Sequence, residues 1–152
     1  MAVRAKRQTL DELLEAACAR ITRYEPGDAF AATERGALLI DIRSDLERER
    51  DGTIPESIHI PRTVLEWRLD PNGPLRNPHV GDVGRPLILI CDHGCATILA
   101  AATLVDLGFG RAGDVIGGYA AWSRAGLATA RCPPGRRMPG EPAGMDAPAP
   151  PR

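Results

Sequence analysis

The residues best equipped for chemistry stand together: Cys91-Asp92-His93-Gly94-Cys95-Ala96-Thr97. A cysteine reacts as its thiolate, and unpaired backbone N–H groups converging on the sulfur favour that form. The stretch follows an apolar run, Leu87-Ile88-Leu89-Ile90, and leads into Ile98-Leu99-Ala100-Ala101-Ala102-Thr103-Leu104. This pattern predicts a buried strand, a tight loop and a helix, with Cys91 at the strand's carboxyl end. Open parallel sheets bind ligands at that edge, and a helix N-terminus favours a thiolate or a bound anion. No proline between Cys91 and Thr97 deletes a donor, and Gly94 permits a sharp curl. The backbone of residues 92–97 is therefore expected to form an anion nest. The Thr97 hydroxyl could also donate to the sulfur, and the small Cys95 and Ala96 are expected to leave the mouth open. Asp92 opposes a thiolate unless it points outward, whereas a protonated His93 favours one.

The same residues allow two other chemistries. Cys95 lies four positions after Cys91 and could resolve a persulfide or sulfenic acid as an intraloop disulfide, which would make a redox switch. Zinc held by Cys91, His93 and Cys95 lacks a fourth ligand and a wide enough spacing. No metal or organic cofactor is expected.

The flanking elements must position this loop. A chain of 152 residues is enough for one domain with a real core. Thr9-Leu10-Asp11-Glu12 has the form of a capping box, followed by Leu10, Leu13, Leu14, Ala17 and Ile21 at helical spacing, with Cys18 as a buried structural thiol. Glu25-Pro26-Gly27-Asp28 ends this helix and starts a second, which stops at Gly36. Ala37 to Arg43 reads as a strand covered on both faces, as in a parallel sheet. Asp41 and Arg43 end it, and they are expected to tie loops down rather than take part in chemistry. Ser57 to Pro61 is a short strand, with His59 capped by a hydrogen bond. Arg62 to Leu69 is a short helix with Trp67 in the core. Asp70 to Arg85, rich in proline and glycine, is a loop that could overhang the site. The helix after Thr97 should stop at Gly108. Gly110 to Gly113 reads as a turn and Asp114-Val115-Ile116 as the last strand. A helix follows, packed down by Trp122.

Several of these pieces together resemble the rhodanese-like sulfurtransferases. They are Cys91, Gly94 and Thr97 after a hydrophobic strand; Asp41-Ile42-Arg43 leading to Gly52-Thr53-Ile54-Pro55; Leu65-Glu66-Trp67-Arg68-Leu69-Asp70-Pro71; and Gly117-Gly118 with Trp122. The resemblance covers roughly residues 25–128. It implies an α/β fold with a mostly parallel central sheet and helices on both faces, and sulfane sulfur carried as a persulfide on Cys91. The donor would be thiosulfate or a persulfide, the acceptor a thiol, including a protein thiol, or cyanide. Asp92, His93, Gly94, Cys95, Ala96 and Thr97 would bind the substrate, and Asp41 and Arg43 would support the site. Related phosphatase and arsenate reductase folds use Cys-x5-Arg, but Thr97 stands where that arginine would be. A rhodanese-like domain can also persist as a non-catalytic binding module.

The net charge of −1 suggests no generic nucleic-acid or membrane surface. No run approaches the roughly 18 apolar residues of a membrane span. No secretory h-region follows Met1 to Arg7, and Cys18, Cys91, Cys95 and Cys132 form no disulfide framework, so a reducing cytoplasm is expected. Residues 1–8 are expected to be flexible, 9–130 to form the domain, and 131–152 to be a disordered tail. That last segment holds seven of the chain's fourteen prolines.

Overall fold

The computed structural model describes residues 5–132. The expectations for residues 1–4 and 133–152 lie outside the described residues.

In chain order the elements are α1 (Leu10–Cys18), β1 (Thr22–Tyr24), α2 (Pro26–Glu34), β2 (Leu38–Asp41), α3 (Asp45–Asp51) and β3 (Ile58–His59). A 3-10 turn (Arg62–Val64) precedes α4 (Leu65–Leu69), β4 (Leu87–Ile90), α5 (Ala96–Asp106), β5 (Ala112–Val115) and α6 (Gly118–Arg124). The five strands form one sheet in the order β1-β5-β4-β2-β3, every pair parallel. Strand β4 is central, and its alternation sorts the core into two layers. Leu87 and Leu89 pack with Leu65 and Leu69 of α4 and Ala100, Ala101 and Leu104 of α5. Ile88 and Ile90 face the other way, onto Ala29 and Ala32 of α2 and Tyr119 and Trp122 of α6. Helices therefore cover both faces, as a parallel sheet requires.

Helix α1 begins on the predicted capping box: Glu12 N–H donates to Thr9 Oγ1 and Thr9 N–H to the Glu12 carboxylate. It stops at Cys18, however, because the chain turns there into β1, a three-residue edge strand too short to show periodicity. Cys18 is half-buried rather than buried. Gly113, read as part of a turn, lies inside β5 opposite Thr22. A Cβ there would sit 2.0 Å from the Thr22 carbonyl oxygen, so the glycine is needed for close approach of two strands.

Trp67 is not in the core: it is 49% exposed. The five-residue α4 buries Leu65, Arg68 and Leu69, one helical face, and Trp67 falls on the other. The segment 70–85 does not overhang the site either. It carries the chain back to the amino ends of the strands, burying Val80 in the core and placing Arg85 Nε 2.7 Å from the Gly36 carbonyl. Arg68 is held within this segment, donating to the Leu75 carbonyl, and burial lowers its pKa. Cys132, taken as the start of a loose tail, is buried, next to a bridge pairing Thr53 with Ala130. No described helix is long and apolar enough to cross a membrane.

Candidate active site

All four residues of β4 are fully buried, and the strand ends at Cys91, which is 8% exposed. The loop curls at Gly94, whose φ of +81° lies in the left-handed region. The curl brings the Gly94 N–H to 3.2 Å from Cys91 Sγ, which it meets as donor. The amides of Asp92, His93, Cys95, Ala96 and Thr97 donate to no acceptor among the described residues. Ala96 opens α5, an eleven-residue helix, so two of these donors belong to its first turn.

Helix α6 fastens the loop from below. Tyr119 N–H donates to the Cys91 carbonyl at 2.8 Å and Ala120 N–H to the Asp92 carbonyl at 3.1 Å. That closeness explains the Gly-Gly pair: Gly117 and Gly118 have φ of +75° and +62°, and a Cβ on Gly118 would lie 2.5 Å from the Cys91 carbonyl oxygen.

Thr97 is fully buried, with Oγ1 3.7 Å from Cys91 Sγ. Its hydroxyl proton, however, is given to Asp114 Oδ2 at 2.7 Å. A hydroxyl has one proton, so Thr97 presents lone-pair density to the sulfur and accepts from the thiol. The sequence allowed this hydroxyl to donate to the sulfur; in the structure it donates to Asp114. Asp114, fully buried in β5, is held by Arg23 of β1: Nε to Oδ1 is 2.9 Å and Nη2 to Oδ2 3.0 Å. The hydrogen bond to Asp114 is the main reason the Arg23 pKa is raised. Arg23 Nη2 also donates to the Gly94 carbonyl at 3.2 Å, gripping the loop itself. The sequence reading missed both residues. A charged residue inside the apolar strand Ala112–Val115 was the available signal, since a buried carboxylate needs a partner.

On the other side of β4, Asp41 and Arg43 are both buried. Arg43 N–H and Nε donate to Asp41 Oδ1 at 3.0 Å each, and Nη2 donates to Oδ2 and to the Gly52 carbonyl at 2.8 Å each. The Arg43 guanidinium carbon lies 3.9 Å from the centre of the Tyr119 ring, a cation–π contact. His59 Nε2–H donates to the Arg43 carbonyl at 2.6 Å, leaving Nδ1 to accept from Arg48.

A cleft of about 470 Å³ opens above the loop, lined by Cys91, Asp92, His93, Cys95 and Ala96 with Ile42, Arg43, Ser44, Glu47, Pro61, Arg62 and Thr63. Gly94 and Thr97 touch the sulfur from behind. The arginines at its mouth are matched: Arg62 pairs with Glu66 at 2.7 Å and Arg50 lies 3.5 Å from Asp92, which is also 3.4 Å from His93.

The chain is similar to known proteins. The family model "Rhodanese-like domain" matches residues 26–125. The thiosulfate sulfurtransferase GlpE of Pseudomonas savastanoi pv. phaseolicola is 34% identical over 100 residues, covering 66% of this chain and 85% of the relative. The GlpE of Actinobacillus pleuropneumoniae serotype 3 is 44% identical over 107 residues, covering 70% and 90%. Among solved structures, a protein of unknown function from Rhodopseudomonas palustris, described as a possible tyrosine phosphatase, superposes with a TM-score of 0.74 at 30% identity, covering 85% of this chain and 99% of that one. The polysulfide-sulfur transferase of Wolinella succinogenes gives 0.64 at 26% identity, covering 78% and 85%.

Proposed function

The chain belongs to the rhodanese-like domain family, and we propose that it is a sulfurtransferase that carries sulfane sulfur on Cys91 as a persulfide. The observation that carries this reading is the Cys91 sulfur itself: it lines the cleft, Gly94 N–H donates to it, and the neighbouring loop amides have no acceptor among the described residues.

In the first step the Cys91 thiolate attacks the sulfane sulfur of the donor. The new S–S bond forms as the donor's own sulfur bond breaks, and the electron pair leaves on sulfite from thiosulfate, or on a thiolate from a low-molecular-weight persulfide. The outer sulfur of the Cys91 persulfide carries the negative charge into the cleft, where the amides of Asp92, His93, Cys95, Ala96 and Thr97 supply donors. In the second step a thiol or cyanide attacks that outer sulfur, and the pair returns to Cys91. Asp41 and Arg43 hold the β2 edge of the cleft and touch no reacting atom. No cofactor enters either step. Asp92, His93, Gly94, Cys95, Ala96 and Thr97 form the substrate side of the site, with residues 9–130 as the functional unit. The acceptor includes protein thiols, which the open mouth admits. A reducing cytoplasm suits a reaction that consumes and returns free thiols, and Cys18, Cys91 and Cys95 are free cysteines.

A second reading has one observation behind it: Cys95 is exposed and lines the same cleft as Cys91. Attack of its thiol on the Cys91 persulfide would expel hydrosulfide and leave an intraloop disulfide. Intact-protein mass spectrometry after thiosulfate or glutathione persulfide separates the readings. Gain of one sulfur atom by wild type and Cys95→Ser, but not by Cys91→Ser, is the expected result. A disulfide-linked product in wild type that is missing in Cys95→Ser would establish the dithiol switch. No uptake from either donor would leave a non-catalytic binding module.

A further inference from the structure

We propose that Asp114, locked by Arg23, is a positioning residue that turns the Thr97 hydroxyl away from Cys91 and so favours the persulfide over the bare thiolate. The proposal rests on Cys91 as the sulfur carrier.

The hydrogen-bonded chain is continuous and crosses three elements. Arg23 of β1 holds Asp114 of β5 through two hydrogen bonds, Asp114 takes the Thr97 proton at 2.7 Å, and Thr97 Oγ1 lies 3.7 Å from Sγ. A bond from a hydroxyl to a buried carboxylate is charge-assisted and stronger than one to a neutral acceptor. The proton therefore stays on the Asp114 side, and lone-pair density faces the sulfur.

That polarity has opposite consequences for the two states of the enzyme. With Cys91 unloaded and ionised, negative charge sits on Sγ, against the Thr97 oxygen. With Cys91 loaded, Sγ is a neutral disulfide-type sulfur and the charge sits one atom further out, toward the loop amides. The chain thus sets lone-pair density against charge on Sγ and drives that charge outward on loading. The other groups around Cys91 are Asp92, His93 and Cys95 on its own loop, Glu47 of α3, and Arg43 and Arg62 beyond β2 and β3. None of them contacts the Thr97 hydroxyl, so the effect belongs to Asp114 and Arg23.

The test reads the pH midpoint of Cys91 alkylation by iodoacetamide, resolved from the other cysteines by peptide mass spectrometry. Asp114→Asn offers Thr97 a weaker acceptor and an amide donor, which releases the hydroxyl to donate to the thiolate. The midpoint should fall by about half to one pH unit. The ratio of loaded to unloaded Cys91, at a fixed ratio of glutathione persulfide to glutathione, should fall about three- to tenfold. In a Thr97→Val background the Asp114→Asn shift should vanish. An unchanged or raised midpoint in Asp114→Asn overturns the proposal, as does an equal shift in the Thr97→Val background, which would be a direct charge effect. If Asp114→Asn does not fold, Thr97→Val alone decides: a lower midpoint supports an accepting hydroxyl and a higher one overturns it. Alkylation needs no sulfur transfer, so failure of wild type to load sulfur would count against the carrier reading while the midpoint still decides the hydroxyl's orientation.

Discussion

At the scale of single residues, the cleft has Cys91 in its lining and is poor in free positive charge. Arg43 is spent on Asp41, Arg62 on Glu66, and His93 stands beside Asp92. Ala96 lines the cleft at the start of α5 and contributes no charge. A dianionic donor such as thiosulfate therefore finds backbone amides but no cation dedicated to it, whereas a persulfide needs only a partner for its outer sulfur. Ala96→Arg should add a charge-assisted contact worth about 1.5 kcal/mol and lower the KM for thiosulfate about tenfold. The kcat/KM for glutathione persulfide should stay within about twofold, because that donor's charge is lower and lies elsewhere. Steady-state rates with the two donors check this, and an equal gain for both would show that the arginine acts on the thiolate rather than on the donor. Cys91 and the shape of its loop were legible in the sequence because strand, glycine and helix are contiguous there. Arg23 and Asp114 were not, because their partners are distant: 91 positions separate them from each other and 17 separate Asp114 from Thr97.

At the scale of elements, the loop keeps its shape because α6 is pressed against it. Two N–H groups at the start of α6 are donated to the Cys91 and Asp92 carbonyls, and this requires Gly118 to have no side chain. Gly126, after the same helix, also has positive φ, but a Cβ there would meet nothing within 4 Å. The pair separates backbone strain from collision. Gly126→Ala should cost about 1 kcal/mol, the penalty for left-handed backbone alone. Gly118→Ala adds the clash with the loop and should cost about 3 kcal/mol or more. Urea unfolding measures both, and equal losses would mean that the loop yields freely and α6 does not hold it. The Gly-Gly pair and Trp122 made this helix readable in advance. Gly113 was misread because a glycine that lets two strands approach looks, in sequence, like a glycine in a turn. Strand β1 was missed because three residues carry no period, and Trp67 was misplaced because its motif does not reveal which face of a five-residue helix meets the core.

At the scale of the molecule, the central strand delivers Cys91 between two arginine–aspartate pairs, the buried Asp41 with Arg43 on the β2 side and the buried Asp114 with the half-buried Arg23 on the β5 side. The parallel sheet and its helical layers could be read from apolar runs of the right length. The pairs could not, because they depend on strand order, which puts β1 at the far edge beside β5. The β2-side pair is closed by Tyr119, whose ring lies beneath Arg43 and whose hydroxyl donates to the Asp51 carbonyl at 2.8 Å. Burial raises the Tyr119 pKa above the ordinary tyrosine value of 10.0, a rise that the nearby Arg43 charge opposes. The folded protein therefore holds this proton more tightly than the unfolded chain does. Its contribution to stability is complete below pH 10, the unfolded value, and is lost as pH rises toward the higher folded value. Tyr119→Phe keeps the ring under Arg43 and removes only the hydroxyl. It should cost about 1 kcal/mol at neutral pH, the worth of the lost hydrogen bond. Its stability should then decline less steeply than wild type between about pH 9 and about pH 11, so that the two curves converge. Urea midpoints measured across that range decide the point. Parallel curves would mean that the phenol ionises as easily folded as unfolded, and that the roof over the β2-side pair is open to water.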